Sequence, residues 1–207
     1  MTESDADRAF YQEVNERLLA ATDDRGISNC LFLNAQNKHT IWRIVTPLRE
    51  LGIPTVGIVD VDAIKDKGEN FNKLLKGSQL PQILHSGIQL QRSCIFEALE
   101  NTGKDMKKEG GIDILDGDEK DAMNSVLKTF SNYGAFIVPG GELESWLKHL
   151  DATGHSPGWL VQVFEKFGSS PAAASYVQPA PGDVWDFIGE VKLWLVDPER
   201  KGIPKYS

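Results

Sequence analysis

Cysteine is scarce in this chain, and long apolar runs are missing. Only two cysteines, Cys30 and Cys94, occur among the 207 residues, and their separation fits neither a zinc knuckle nor a disulfide framework. They are predicted to be reduced thiols of a cytoplasmic protein. The first residues lack the basic and apolar regions of a signal peptide, and no apolar run approaches the roughly 20 residues of a membrane-spanning helix. We therefore expect a protein with no membrane partner.

Basic charge is also in short supply. The chain has 22 lysines and arginines against 30 acidic residues, which gives a net charge of −8. A dedicated nucleic-acid-binding domain normally carries a basic face, so this composition argues against one. An acidic chain can still act on DNA if metal ions neutralise its site or if another chain supplies the basic contacts. The phosphate-binding pattern Gly-x-x-x-x-Gly-Lys-Ser/Thr does not occur, so no P-loop ATPase is encoded here.

The order of apolar segments predicts an α/β fold. A buried strand is expected at 30–33, a helix with its apolar face at 41–51, and a second buried strand at 55–59. This order predicts a mostly parallel open sheet flanked by helices, with a right-handed crossover. We expect an N-terminal helix in residues 1–26 and the α/β core in 27–150, with a helical insertion around 63–110. A helical extension in 151–207 is expected to pack on that core.

Two carboxylates follow the second predicted strand directly. Asp60 and Asp62 are two positions apart, so on an extended chain their side chains share one face. Neighbouring carboxylates repel each other unless a cation lies between them. Oxygen ligands of this kind suit Mg²⁺ or Mn²⁺. In the alternative interpretation, one of the two aspartates caps the next helix and the other is solvated.

Polar residues also follow two other predicted strands. Asn34 comes after the first strand, and Glu142 and Glu144 follow the apolar segment 134–138. Ligands of open α/β sheets bind beyond the carboxyl ends of the strands. We therefore expect these side chains to converge with Asp60 and Asp62 at one edge of the sheet.

This arrangement resembles the TOPRIM domain, and most of all the TOPRIM-like domain of the OLD (overcoming lysogenization defect) family of ATPase/nucleases. The resemblance covers residues 30–146 and rests on the Asp-x-Asp pair and on a Gly-x-x-Glu segment that ends at Glu144. It implies metal-dependent cleavage of phosphodiester bonds in nucleic acid, most simply DNA. The implied catalytic residues and metal ligands are Asp60, Asp62, Glu142 and Glu144. The ATPase would be a domain or subunit absent from this chain. A second copy of the chain, in a homodimer, is a further candidate partner.

The first motif departs from this family. TOPRIM domains carry a glutamate after the first strand, whereas this chain has Asn34. An amide can coordinate a cation through its oxygen but cannot act as a general base. Lys38 brings positive charge to a place where a second metal ion would otherwise bind. The candidate substrate-binding residues are Asn34, Lys38, Lys104 and Lys107, although Lys104 and Lys107 also fit a solvated basic helix end.

Three functions fit this pattern. The first is a Mg²⁺- or Mn²⁺-dependent nuclease, expected to be weak or inactive without a basic partner. The second is a catalytically silent TOPRIM-like domain that binds partners or senses ligands, which Asn34 and Lys38 favour. The third is a phosphatase of the haloacid dehalogenase type, in which an Asp-x-Asp pair also ends a buried strand. Those enzymes usually continue with a small Gly-Thr or Gly-Val turn, whereas Ala63 and Ile64 follow here.

Overall fold

A computed structural model describes residues 1–21 and 24–204. Seven α-helices and two short strands occur in these ranges, joined by several single turns of 3₁₀ helix. Their order is α1 (Asp5–Ala20), α2 (Lys38–Glu50), β1 (Gly57–Val59), α3 (Glu69–Gly77), α4 (Gln82–Thr102), α5 (Gly117–Asn132), β2 (Ala135–Ile137), α6 (Gly158–Phe167) and α7 (Asp183–Val196).

The prediction of a mostly parallel open sheet flanked by helices is wrong. The described chain is mostly helical, and β1 and β2 are only three residues long. They pair in parallel, with Gly57 opposite Ala135 and Val59 opposite Ile137. A mostly parallel open sheet is therefore not the scaffold of this fold. The helices form most of it, and the strand pair lies between them.

The strand expected at residues 30–33 does not form. The chain there is extended, and only single backbone contacts join it to the first residues: Thr2 N–H donates to Leu33 O, and Ala35 N–H donates to Thr2 O. Cys30 and Phe32 pack partly against a core, whereas the side chain of Leu31 is 81% exposed. An apolar run does not reveal whether both of its faces are covered. Here only one face is.

The first three residues lie beside β1. Ile58 N–H donates to Met1 O at 2.9 Å, and the Met1 amino group donates to Val56 O at 2.8 Å. These contacts place the N-terminal segment between β1 and the extended segment that contains Asn34. Glu3 is thereby brought to the end of β1.

Two hydrophobic cores cover the two faces of the strand pair. Val59 and Ile137 belong to a core shared with α2, α3, α4 and α5. Ile58 and Phe136 belong to a second core, shared with α1, α6 and α7. Side chains of a strand alternate between its faces, so each short strand contributes to both cores. The ends of β1 and β2 are held in place from both sides.

A buried arginine fixes the beginnings of both strands. Arg49 of α2 is fully buried and donates hydrogen bonds to the carbonyl oxygens of Thr55, Tyr133 and Gly134. Gly134 O also accepts from Gly57 N–H at 3.1 Å. One side chain therefore sets the register from which both strands run toward their carboxyl ends. Across 1–21 and 24–204, no helix is long and apolar enough to cross a membrane.

Candidate metal site at the ends of the two strands

The loops after β1 and β2 are held against each other. Val61 N–H donates to Gly141 O at 2.9 Å, so the residues that follow the two strands are neighbours. Asp60 immediately precedes a 3₁₀ turn at Val61–Ile64, and its side chain makes no capping hydrogen bond to that turn. Its carboxylate is therefore not used as a cap and points toward the other acidic groups.

Three carboxylates meet at the end of β1. Glu3, Asp60 and Asp62 each place an oxygen within 4.8 Å of the others. Glu3 Oε1 accepts a hydrogen bond of 2.8 Å from Asp60 N–H. Within the described residues, Asp62 Oδ1 is buried and has no hydrogen-bond partner. Sequence reasoning found the two aspartates but missed Glu3, because its proximity depends on the non-local contact between the N-terminal segment and β1.

A second group follows β2. Glu142, Glu144 and His155 also offer ligand atoms within 4.8 Å of one another. His155 Nδ1 lies 3.6 Å from Glu142 Oε1 and 3.9 Å from Glu144 Oε1. Ser156 N–H donates to Glu144 Oε1 at 2.7 Å. The sequence indicated the two glutamates, whereas no motif marked His155 as their neighbour.

Lys107 joins the two groups. Its Nζ lies 2.6 Å from Asp60 Oδ2 and 3.9 Å from Glu142 Oε2. The carboxylates after β1 and after β2 therefore lie at the same edge of the strand pair, close enough to share one ammonium group. Lys38 pairs with the remaining aspartate, since its Nζ is 3.1 Å from Asp62 Oδ2.

Close packing at Gly141 holds the Lys107 loop, the segment between α4 and α5 that contains Lys107, at the site. Gly141 has a φ of +124°, and a Cβ atom at this position would lie 2.1 Å from Lys107 O. Ile112 N–H donates to Pro139 O at 2.9 Å. The segment that follows α4 therefore lies directly on the loop after β2, and the glycine permits that contact.

The other two candidate residues are placed differently. Asn34 lies on the extended segment beside Thr2, and its Oδ1 accepts from Gln36 N–H in a local turn. The side chain of Lys104 is exposed, and none of the ion pairs in the described chain joins it to the site carboxylates. The structure thus brings together Asp60, Asp62, Glu142, Glu144, Lys38 and Lys107, with Lys104 outside this group.

Burial shifts the acidity of the site. It raises the pKa of Glu3 to about 8, and the charge of Asp60 adds to this effect. Burial also raises the pKa of Asp60 to about 7, although the hydrogen bond and the charge of Lys107 oppose it. Burial also raises the pKa of Glu142, and the charge of Glu144 adds to this effect. For Lys107, burial lowers the pKa, but the hydrogen bond and the charge of Asp60 outweigh it and raise the pKa above its usual value. A cation bound among these carboxylates would favour their charged forms and lower their pKa values.

The residues present fit a divalent cation. Glu3, Asp60 and Asp62 supply the hard oxygen ligands that Mg²⁺ and Mn²⁺ prefer. His155 belongs to the second group, with Glu142 and Glu144. In the structure, Lys107 and Lys38 supply the positive charge that such an ion would bring. Comparisons of the chain with protein-family models, with curated proteins and with solved structures find no match.

Proposed function

We propose that this chain binds Mg²⁺ or Mn²⁺ through Glu3, Asp60 and Asp62 and uses the ion in phosphodiester chemistry on nucleic acid. The observation that carries the proposal is the convergence of these three carboxylates within 4.8 Å. They come from two segments far apart in sequence. Like charges are costly to bring together unless a cation compensates for them, and the buried Asp62 Oδ1 is left without a hydrogen-bond partner in the described residues.

The choice of nucleic acid as substrate is supported by the motifs. The Asp-x-Asp pair and the Gly-x-x-Glu segment resemble those of OLD-type TOPRIM domains, which act with an ATPase. A divalent ion bound here supplies positive charge for a phosphate and lowers the pKa of a bound water molecule. Glu142, which shares Lys107 with Asp60, and the nearby Glu144 are in this proposal further ligands or groups that orient water. In this proposal Lys107 leaves its ion pair with Asp60 and donates to a phosphate oxygen. A cytoplasmic location and an ATPase partner belong to the same proposal.

A second candidate function has its own support. Lys107 and Lys38 already form ion pairs with Asp60 and Asp62, and Asn34 replaces the carboxylate that a two-metal nuclease would use. These pairs favour a catalytically silent domain in which the acidic site responds to a ligand or a partner. In that case a cation or a phosphate changes the ion pairs without cleavage of a bond.

Calorimetry with Mn²⁺ tests the metal site. We expect Asp60→Asn and Asp62→Asn to remove most of the affinity, because each replaces a charged ligand with a neutral amide of the same size. Asp113→Asn is the matched control, because Asp113 is an exposed carboxylate paired with Lys120. Asn34→Ala is also expected to change the affinity little. Unchanged binding in the Asp60→Asn, Asp62→Asn double variant would exclude the site.

A cleavage assay separates the two candidate functions. Plasmid and single-stranded DNA are incubated with the chain and either Mg²⁺ or Mn²⁺. We expect weak cleavage that prefers Mn²⁺, because Mg²⁺ demands more regular octahedral coordination than this ligand set provides. Loss of that cleavage in Asp60→Asn supports the nuclease. Binding of Mn²⁺ without any cleavage, even after addition of an ATPase partner, supports the silent domain.

A further inference from the structure

The outward face of α4 carries an exposed apolar stripe. Ile83, Gly87, Leu90 and Cys94 are spaced by four, three and four residues, which places them on one line along the helix. Ile83 is 86% exposed and Leu90 is 68% exposed. The opposite side of the helix faces the core and contains Ile88, Arg92, Ile95 and Leu99. The stripe is therefore not the packing face of α4 within its own chain.

This face also lacks charge. A quarter of all residues in the chain are charged, yet the exposed positions of α4 from 82 to 94 carry none. They are Gln82, Ile83, Leu84, Ser86, Gly87, Gln89, Leu90, Gln91, Ser93 and Cys94. Two copies of a chain with a net charge of −8 repel each other over most surfaces. A neutral apolar face permits their close approach.

Packing within the chain does not explain why position 87 is a glycine. It lies inside a regular helix, where glycine is less favourable than alanine. A Cβ atom at this position would meet nothing within 4 Å, so intramolecular packing does not require a glycine. Close approach of a helix from another molecule does require a small residue at the point of contact.

We propose that α4 pairs with α4 of a second copy of this chain, antiparallel and around a two-fold axis between Gly87 and Leu90. In this register Leu90 faces the partner's Gly87, and Ile83 faces the partner's Cys94. Each large side chain therefore meets a small one, so the stripe is complementary to itself, as a two-fold interface requires. The antiparallel direction also places opposite ends of the two helix dipoles side by side. A single helix from each copy forms this contact, which predicts a reversible dimer that depends on concentration.

Sedimentation velocity over a range of concentrations, in reducing buffer with EDTA, tests the dimer. We expect the unaltered chain to shift from monomer to dimer and Leu90→Glu to remain monomeric, because two carboxylates would lie near the symmetry axis. Leu193→Glu on α7 is the matched control, since Leu193 is also 68% exposed. It should dimerise as the unaltered chain does. A chain that stays monomeric at the highest concentration, or equal dimerisation by the two variants, would overturn the proposal.

Disulfide trapping tests the register. In a Cys30→Ser background, Ile83→Cys is expected to form a covalent dimer with the partner's Cys94 under mild oxidation. Within one helix these positions are roughly 16 Å apart, too far for an internal disulfide. Removal of Cys94 by Cys94→Ser in the same variant should abolish the cross-link. Rapid cross-linking through Cys94 alone would mean that the helices run parallel and would refute the antiparallel register. None of the residues of the candidate metal site belongs to α4, so the test of this surface does not depend on metal binding.

Discussion

Lys107 Nζ lies 2.6 Å from Asp60 Oδ2, and the same ammonium group lies 3.9 Å from Glu142 Oε2. The chain thus carries its own counter-ion at the point where the acidic groups after β1 and β2 meet. A divalent cation that binds Asp60 must compete with this ammonium group. The strength of metal binding therefore depends on how readily Lys107 moves away.

Removal of Lys107 should strengthen metal binding. We expect Lys107→Met to raise the Mn²⁺ affinity on the order of tenfold, or about 1.4 kcal/mol, because the competing charge is lost and Asp60 becomes free. Calorimetry measures the affinity at neutral pH. Lys104→Met is the control, since Lys104 is an exposed lysine of the same loop. A weaker affinity in Lys107→Met would show that the lysine positions the ligands and does not compete with the ion.

The raised pKa values of Glu3 and Asp60 predict how stability depends on pH. The pKa of Glu3 rises from its ordinary 4.5 to about 8, and that of Asp60 rises from 3.8 to about 7. Between these limits the folded chain binds more protons than the unfolded chain, so its stability falls as the pH increases. The fall should be clearest below pH 6, because the buried Met1 amine, with a pKa of about 6, acts in the opposite direction above it.

Urea unfolding in EDTA from pH 4.5 to pH 8 measures this dependence. We expect Glu3→Gln to flatten the curve and to stabilise the chain most at the alkaline end, because a neutral amide replaces a carboxylate that burial disfavours. Asp113→Asn, at an exposed site, should leave the slope unchanged. A stability of the unaltered chain that rises steadily from pH 4.5 to 6 would contradict the burial of Glu3.

The sequence predicted the helices better than the strands. An N-terminal helix is predicted within residues 1–26, and α1 lies there, with Ser4 as its cap in a capping box with Asp7. A helical extension is predicted over residues 151–207, and α6 and α7 lie in that range. These signals are local, because caps and helical spacing involve residues three or four apart. The run at 30–33 failed as a strand because its outer face has no covering element, which no local pattern reveals.

The candidate site was predictable only in part, for the same reason. Asp60 and Asp62 lie just after β1, and Glu142 lies a short loop after β2, as expected from their positions near the strands in the sequence. Glu3 was missed, since only backbone contacts between the N-terminal segment and β1 bring it close. Lys107 was proposed as a phosphate contact, but its ion pair with Asp60 arises from the packing of its loop on Gly141.

Arg49 is expected to be essential for stability. Its side chain is fully buried and donates to backbone carbonyls at the starts of both strands. Arg49→Met would leave several buried carbonyl oxygens without partners, at a cost of more than about 3 kcal/mol. Arg43→Met on the same helix is the control, because Arg43 is exposed and should change stability by less than about 0.5 kcal/mol. Urea midpoints compare the two variants, and equal midpoints would contradict the structural role of Arg49.

Substitution of Gly141, which packs against the backbone of Lys107, tests whether the packing of the Lys107 loop controls the site. Gly141 and Gly154 both have positive φ values, of +124° and +88°, but only Gly141 is crowded: a Cβ atom there would lie 2.1 Å from Lys107 O, whereas one at Gly154 would meet nothing within 4 Å. Gly154→Ala should therefore cost only the backbone strain, about 1 kcal/mol. Gly141→Ala adds a clash with the Lys107 loop and should cost more than about 3 kcal/mol.

The same pair of variants should differ in metal binding. In Gly141→Ala the Lys107 loop must move away from β2, which breaks the contact between Lys107 and Asp60. As in Lys107→Met, the Mn²⁺ affinity should rise. Gly154→Ala should bind Mn²⁺ as the unaltered chain does. Thermal unfolding and calorimetry on both variants give the two readouts. If Gly141→Ala is destabilised but binds Mn²⁺ with unchanged affinity, the position of Lys107 does not control the site, and the competition between the lysine and the metal ion must be abandoned.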